Sequence, residues 1–168
     1  IDGTTPVVDF DFGDYVSGST WTGIPYGPEL VTNGDFASGL DDWSITGTDA
    51  TNNITIVNGG ARIFASPSSS PAPYMTQSAL EIGKTYVVTF DITASQFGEI
   101  QVRSGTFIQH TGVVGSHTYT FTTDTETTIG FRRAGVCDLT IDNVSVKEVQ
   151  VFTLEGNASI FQPPVDAS

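Results

Sequence analysis

The stretch that decides the fold is residues 85–94, Thr-Tyr-Val-Val-Thr-Phe-Asp-Ile-Thr-Ala. Tyr86, Val88, Phe90 and Ile92 fall on one face of an extended chain, and the residues between them fall on the other. This period of two predicts a half-buried β-strand rather than a helix. A strand of this kind needs hydrogen-bonding partners, and the surrounding sequence supplies them.

A tight hairpin is predicted upstream of that strand. Residues 54–57, Ile-Thr-Ile-Val, and residues 61–64, Ala-Arg-Ile-Phe, flank the sequence Asn58-Gly59-Gly60. Asparagine and glycine supply the positive φ angles that a two-residue hairpin turn needs, so we expect the two runs to pair. Residues 66–73 contain three prolines, which lack backbone donors, and are predicted to form a solvent-facing loop.

Further short strands follow, separated by turn residues. They are predicted at 100–103, 107–110, 117–122 (with Tyr119 and Phe121 inward), 128–133 and 139–149. Residues 78–81 alone suggest a helical turn. Many short strands with this spacing predict an all-β protein, an antiparallel two-sheet sandwich of the jelly-roll type.

Composition excludes several classes of partner. The 168 residues include 19 Asp and Glu but only 6 Lys and Arg, a formal charge of −13. Six cations cannot displace many counterions from a phosphate backbone, and anionic lipid would repel the chain. We therefore expect neither nucleic acid nor a membrane as partner. Cys137 is the single cysteine, which excludes an intramolecular disulfide and a cysteine metal cluster.

The sequence divides into three parts. Residues 1–28 are predicted to be an N-terminal arm with one short strand at 8–12, either loosely attached or docked on a neighbouring subunit. Residues 29–148 form the jelly-roll body, and residues 149–168 form a C-terminal arm with one alternating stretch at 149–154 before Pro163-Pro164. Because residue 1 is Ile rather than Met, we expect a processed or excerpted product.

Two stretches resemble a known family. Residues 29–43, Glu-Leu-Val-Thr-Asn-Gly-Asp-Phe-Ala-Ser-Gly-Leu-Asp-Asp-Trp, resemble the opening of carbohydrate-binding modules of the galactose-binding-like jelly-roll type. Residues 139–148, Leu-Thr-Ile-Asp-Asn-Val-Ser-Val-Lys-Glu, resemble the closing strand of the same modules. Such modules occur in secreted glycosidases and in bacteriophage tail and capsid-appendage proteins.

The two stretches also carry physical signals of their own. Asn33-Gly34 predicts a turn, after which Phe36 and Trp43 are suited to cap an open end of the core, so that core packing is the expected role of Trp43. Asp142 and Asn143 interrupt the alternation of the closing strand, which predicts a bulge or a ligand-bearing turn.

The resemblance implies a structural calcium between the opening turn and Asp142. Ala37 stands where the family often has an acidic residue, and Asp35 offers a carboxylate two positions earlier in the chain. Carboxylate oxygens are ligands that Ca²⁺ prefers. We therefore name Asp35 and Asp142 as the candidate calcium ligands.

The resemblance further implies sugar binding through aromatic stacking and polar side chains on an exposed face. The candidates are Tyr74, Gln101, Arg103, Phe107 and Gln109. Arg103 and Gln109 lie on adjacent runs joined by residues 104–106, so we expect them to share a face. The alternative is that Gln101 and Arg103 are ordinary solvated positions and that Phe107 belongs to the core.

Signals of catalysis are weak. His110 and His117 lack a neighbouring nucleophile or metal-ligand spacing, and the sequence contains no glycine-rich phosphate loop or nucleophile elbow. The expected function is therefore a non-enzymatic bacteriophage virion structural protein at the virion surface: a capsid decoration, head fibre or tail appendage. Its arms would contact other virion subunits in a homo-oligomer, and its body would bind host-surface glycan.

Two alternatives remain open. One is a carbohydrate-binding module of a secreted polysaccharide-degrading enzyme, which predicts a compact monomer with glycan affinity. The other is a free-standing enzyme that uses a pair of carboxylates, which the abundance of acidic residues leaves open.

Overall fold

A computed structural model describes residues 26–66 and 70–150, and this part of the chain forms eleven β-strands and no helix. The strands are β1 (Tyr26–Glu29), β2 (Ser44–Thr46), β3 (Asn52–Val57), β4 (Gly60–Ala65), β5 (Tyr74–Ser78), β6 (Thr85–Phe97), β7 (Ile100–Ser104), β8 (Thr106–Thr111), β9 (Gly115–Thr122), β10 (Thr128–Arg133) and β11 (Cys137–Val149). Within the same residues no helix is long and apolar enough to cross a membrane.

The strands form two antiparallel sheets. The first has the order β3-β4-β11-β6-β9, with β1 also paired to β11, and the second has the order β2-β5-β10-β7-β8. Neighbours in each sheet are mostly distant in sequence, as they are in a jelly roll. The predicted all-β sandwich is confirmed.

The closing strand β11 organises the first sheet. Its first half pairs with β4 and its second half with β1, while β6 follows it along the other side. Tyr26 lies opposite Val149, so the sheet includes residues 26–28 and residue 149, which the sequence analysis assigns to the arms. The rest of both arms, including the predicted strand at 8–12, residues 151–154 and Pro163-Pro164, lies outside the described residues.

The predicted hairpin is confirmed. Val57 pairs with Gly60 across a two-residue turn, and Asn58 and Gly59 have φ angles of 52° and 90°. These positive angles are the reason that asparagine and glycine occupy the turn.

An aromatic series spans the space between the sheets. Phe36 contacts Trp43, Trp43 contacts Phe131 of the second sheet, and Phe131 meets Phe90 of the first sheet edge-on at 5.0 Å between ring centroids. All four side chains are buried, and the Trp43 indole N–H donates to the Asn33 carbonyl at 3.1 Å. The predicted core role of Trp43 is confirmed.

The opening turn is fastened to both sheets by hydrogen bonds. The Gln77 side chain of the second sheet accepts from the Thr32 N–H at 2.8 Å and donates to the Thr32 carbonyl at 3.0 Å. On the other side, the Val144 N–H donates to the Gly34 carbonyl at 2.8 Å. Asn143 has a φ of 51° and the register of β11 shifts beside it, which confirms the predicted bulge.

Candidate functional site

A groove of about 390 Å³ lies on the outer face of the second sheet. Its size is within the range of small-ligand sites. It is lined by Thr46, Tyr74, Thr76, Arg103, Gly105, Glu126, Thr128 and Arg132. These residues come from β2, β5, β10 and β7 and from the ends of the adjoining loops, so the site depends on the strand order of the whole sheet.

Two rows of paired residues cross this face. In the first row Tyr74 lies between Thr46 of β2 and Arg132 of β10, and Arg132 lies opposite Gln101 of β7. In the second row Thr76 lies opposite Gly130, and Gly130 lies opposite Arg103. Directly paired residues of an antiparallel sheet point to the same side, so each row presents its side chains together.

Gly130 leaves a gap in the second row, and the Tyr74 ring extends into it. A Cβ atom at Gly130 would lie 2.6 Å from Cε2 of Tyr74 and 2.7 Å from Cγ2 of Thr76. A Cβ atom does not approach non-bonded carbon atoms this closely, so a side chain at position 130 would displace the ring. The glycine therefore allows an aromatic ring to lie across the sheet surface.

Arg103 is held by two hydrogen bonds to neutral acceptors. Its Nη1 donates to Oε1 of Gln101 at 2.9 Å, and its Nη2 donates to the Gly105 carbonyl at 2.8 Å. Arg132 stands diagonally across the strand pair from Arg103, a relation that places Cβ atoms about 7 Å apart. The two guanidinium groups therefore line the same groove.

The Tyr74 phenol stays protonated at neutral pH. Partial burial raises the pKa of Tyr74 above its ordinary value of 10.0, and Glu126 adds to this shift, whereas Arg103 and Arg132 oppose it. The hydroxyl can consequently donate as well as accept a hydrogen bond. The groove offers a ring, a hydroxyl, two cationic forks and one carboxylate.

The five residues predicted to bind sugar do not all lie in the groove. Tyr74 and Arg103 line the groove, and Gln101 supports Arg103 from the neighbouring row. Gln109 pairs with Val102, whose side chain is in the core, and its Oε1 accepts from the His110 N–H at 3.2 Å.

The expectation that Gln109 shares a face with Arg103 is therefore wrong, because the register puts His110 rather than Gln109 opposite Gln101. The backbone of Phe107 pairs with Arg103 after a bulge in β8, and its side chain lies outside the description.

Arg132, Glu126 and Gly130 are not among the site residues predicted from the sequence. The alternation of buried Ile129 and Phe131 marks Arg132 as outward-facing, which is a signal present in the sequence. Its proximity to Tyr74 depends on the pairing of β5 with β10, strands that are far apart along the chain.

The two candidate calcium ligands lie near the opening turn and the β11 bulge. Oδ1 of Asp35 accepts from the Ala37 N–H at 3.2 Å, and Oδ1 of Asp142 accepts from the Asn143 N–H at 2.7 Å. Among the described residues no three His, Cys, Asp or Glu side chains are grouped to hold a metal ion. Calcium binding by Asp35 and Asp142 stays a prediction.

The Asn33 side chain forms three hydrogen bonds within the opening turn. Its Nδ2 donates to the carbonyls of Gly39 and Asp41, and its Oδ1 accepts from the Ser38 N–H. These bonds join the two ends of the turn.

His117 packs against the core. Its ring stacks on Phe90 at 5.3 Å between centroids, and its Nε2 lies 2.7 Å from the Val113 carbonyl oxygen. A smaller depression of about 190 Å³ on the first sheet, beside the β3–β4 turn, is lined by Val57, Asn58, Thr93, Ala94, Thr140 and Asp142. It has no aromatic or cationic side chain, so the groove on the second sheet is the better candidate for a binding site.

This architecture is the antiparallel β-sandwich fold of carbohydrate-binding modules. Solved structures with the same fold include a family 4 carbohydrate-binding module, which is 16% identical with a TM-score of 0.50 and is matched over 70% of this chain and 98% of that one. A variant of a family 29 module is 14% identical, with a TM-score of 0.51, 74% of this chain and 85% of that one.

A third similar structure belongs to a longer protein. It comprises the CBM22-1 and GH10 modules of the Clostridium thermocellum endo-1,4-beta-D-xylanase 10B in complex with xylohexaose. It is 18% identical with a TM-score of 0.55, over 77% of this chain and 30% of that one. No family model matches the sequence, and no curated protein does.

Proposed function

We propose that the domain binds glycan without catalysis, in the groove of the second sheet. The observation that carries the proposal is the Tyr74 ring, which lies across Gly130 in a groove flanked by Arg103 and Arg132. An aromatic face offers apolar contact to the C–H groups of a sugar ring, and adjacent polar groups hydrogen-bond to its hydroxyls. The fold shared with carbohydrate-binding modules supports the same function.

The polar groups of the groove suit a polyhydroxylated ligand. The arginines donate hydrogen bonds, the Glu126 carboxylate accepts them, and the Tyr74 hydroxyl does both. Sugar hydroxyls are themselves both donors and acceptors, so each of these groups would have a partner.

The test is replacement of Tyr74 in the full chain. We expect Tyr74→Ala to abolish retardation in affinity gels that contain soluble polysaccharide, and Tyr74→Phe to retain part of it because the ring remains. Tyr26→Ala is the matched control, since Tyr26 is a half-exposed tyrosine on the other sheet. Melting curves of each variant verify folding. Glycan binding that survives Tyr74→Ala in a folded protein would contradict the proposal.

The setting proposed for this module is the bacteriophage virion, at whose surface the segments flanking the body would contact other virion subunits. Its support is the sequence resemblance together with the aromatic residues of the N-terminal segment, Phe10, Phe12, Tyr15 and Trp21. A module of a secreted polysaccharide-degrading enzyme fits the fold equally well. Both settings are extracellular, and in both the body serves for attachment.

Size-exclusion chromatography with light scattering on the full chain separates these settings. The virion proposal expects a stable multimer. A monomer that binds polysaccharide would favour the enzyme module instead. Polysaccharide hydrolysis that is lost on changing a pair of carboxylates would overturn the non-enzymatic assignment.

A further inference from the structure

The groove concentrates positive charge that the rest of the described structure does not neutralise. Two cations outside the groove pair with carboxylates: Arg62 with Asp138 at 2.6 Å, and Lys84 with Glu81 and Glu148 at 3.1 Å. Within residues 26–66 and 70–150, Arg103 and Arg132 form no ion pair with a carboxylate. The chain has 6 Lys and Arg residues and a charge of −13, and two of these six line one groove without an ion pair to any described carboxylate.

Neutral groups orient Arg103 without neutralising its charge. The Gln101 amide and the Gly105 carbonyl fix two N–H groups of Arg103, which leaves the positive charge of the fork in place. Glu126 also lines the groove, but it forms no ion pair with either arginine. The groove therefore carries two positive charges against one negative charge.

We propose that the glycan recognised in this groove carries carboxylate groups, as a uronic acid polymer does. This inference rests on the proposed function and names the class of sugar. A guanidinium fork fits a carboxylate with two parallel hydrogen bonds, and such charge-assisted bonds are stronger than those to neutral hydroxyls. The Tyr74 ring would contact the sugar face while the arginines bind its acid group.

The negative net charge of the chain restricts the binding of acidic glycans to the groove. Long-range repulsion opposes polyanions in general, so a carboxylate polymer binds only where the local cations outweigh it. Nonspecific binding of polyanions would need a net positive charge on the protein, and the net charge of this chain is −13.

The experiment compares paired ligands on the full chain by isothermal titration calorimetry at fixed ionic strength. Polygalacturonate is the acidic probe, and the same polymer with its carboxylates methyl-esterified is the neutral one. Xylan is a second neutral probe, and dextran sulfate is a polyanion without carboxylates. We expect polygalacturonate to bind at least about tenfold more tightly than its ester, the effect of one charge-assisted hydrogen bond.

Three single substitutions assign the preference to the groove. Arg103→Gln and Arg132→Gln should each weaken polygalacturonate binding by about tenfold and change binding of the ester much less. Lys147→Gln, on β11 of the other sheet, removes the same charge and should leave both affinities unchanged. Glu126→Gln should strengthen polygalacturonate binding about twofold, because it removes repulsion beside the acid group.

The outcomes separate this inference from the proposed function. Equal binding of polygalacturonate and its ester, or tighter binding of the neutral probes, overturns the inference and leaves glycan binding intact. Equal binding of dextran sulfate and polygalacturonate also overturns it, since the attraction is then not specific for carboxylate. If none of the four polymers binds, the proposed function fails together with the inference. Loss of binding in Lys147→Gln equal to that in Arg103→Gln places the interaction outside the groove and overturns both.

Discussion

Replacing Gly130 with alanine tests whether the sheet surface depends on the absence of a side chain at this position. A Cβ atom at Gly130 would lie 2.6 Å from the Met75 carbonyl oxygen as well as from Tyr74 Cε2, and 2.7 Å from Thr76 Cγ2. The carbonyl belongs to the neighbouring strand and cannot rotate away as a side chain can. Strand β5 must therefore shift relative to β10, and the Tyr74 ring must leave its place as well.

The expected cost follows from these contacts. Overpacking a buried position costs about 1–3 kcal/mol, and in a domain of this size each kcal/mol lowers Tm by about 2–4 °C. We therefore expect Gly130→Ala to lower Tm by about 2–12 °C and to weaken glycan binding, because the displaced ring no longer lies across the groove. Thermal unfolding followed by circular dichroism and affinity gel electrophoresis measure the two effects.

Gly135→Ala is the matched control. It makes the same chemical change at a position where a Cβ atom has no neighbour within 4 Å. We expect its Tm to stay the same or to rise slightly, since alanine restricts the unfolded chain more than glycine does. If the two variants showed equal Tm and equal glycan affinity, the account of the Tyr74 and Gly130 contact would be refuted.

Three further predictions concern the body of the domain. Gln77→Leu leaves the Thr32 backbone without its partners, so chemical denaturation should show a loss of about 2–3 kcal/mol with an unchanged m-value, whereas the exposed Gln109→Leu should cost less than about 0.5 kcal/mol. Burial raises the pKa of the Cys137 thiol from 9.0 to about 11, so the folded thiol should resist iodoacetamide at pH 8. Because the unfolded thiol ionises first, stability should fall as pH rises from 9 to 11, and it should fall more steeply in the native protein than in Cys137→Ala, where Tyr74, whose pKa is also raised, still contributes. Finally, the hydrogen bonds of Asn33 hold the opening turn, so EDTA should leave Tm unchanged, while a lower Tm that calcium restores would establish a metal at Asp35 and Asp142.

The parts of the fold that local sequence decides were accessible to prediction. Strand alternation depends on neighbouring side chains, the Asn58-Gly59 turn on backbone angles, and the β11 bulge on two consecutive polar residues. Each of these features is set within a few residues. The core role of Trp43 follows from its size and its place after the opening turn.

The composition of the groove depends on which strands become neighbours. Tyr74 and Arg132 meet because β5 and β10 pair, and nothing in either segment specifies that choice. The register of β8 against β7 likewise decides that Gln109 points away from Arg103. Gly130 is not part of a predicted turn, so the sequence gives no reason for a glycine there. The reason is the Tyr74 ring, which occupies the space of a side chain at position 130.

The pairing of Tyr26 with Val149 has a consequence for how the domain can be carried by a larger protein. Paired residues in an antiparallel ladder have Cα atoms about 5 Å apart, so the sandwich formed by the described residues begins and ends at neighbouring points. A domain with adjacent entry and exit points can be inserted into a surface loop of a host chain with little distortion of that loop. Both points belong to the first sheet, and such a junction would leave the opposite face of the sandwich open to solvent.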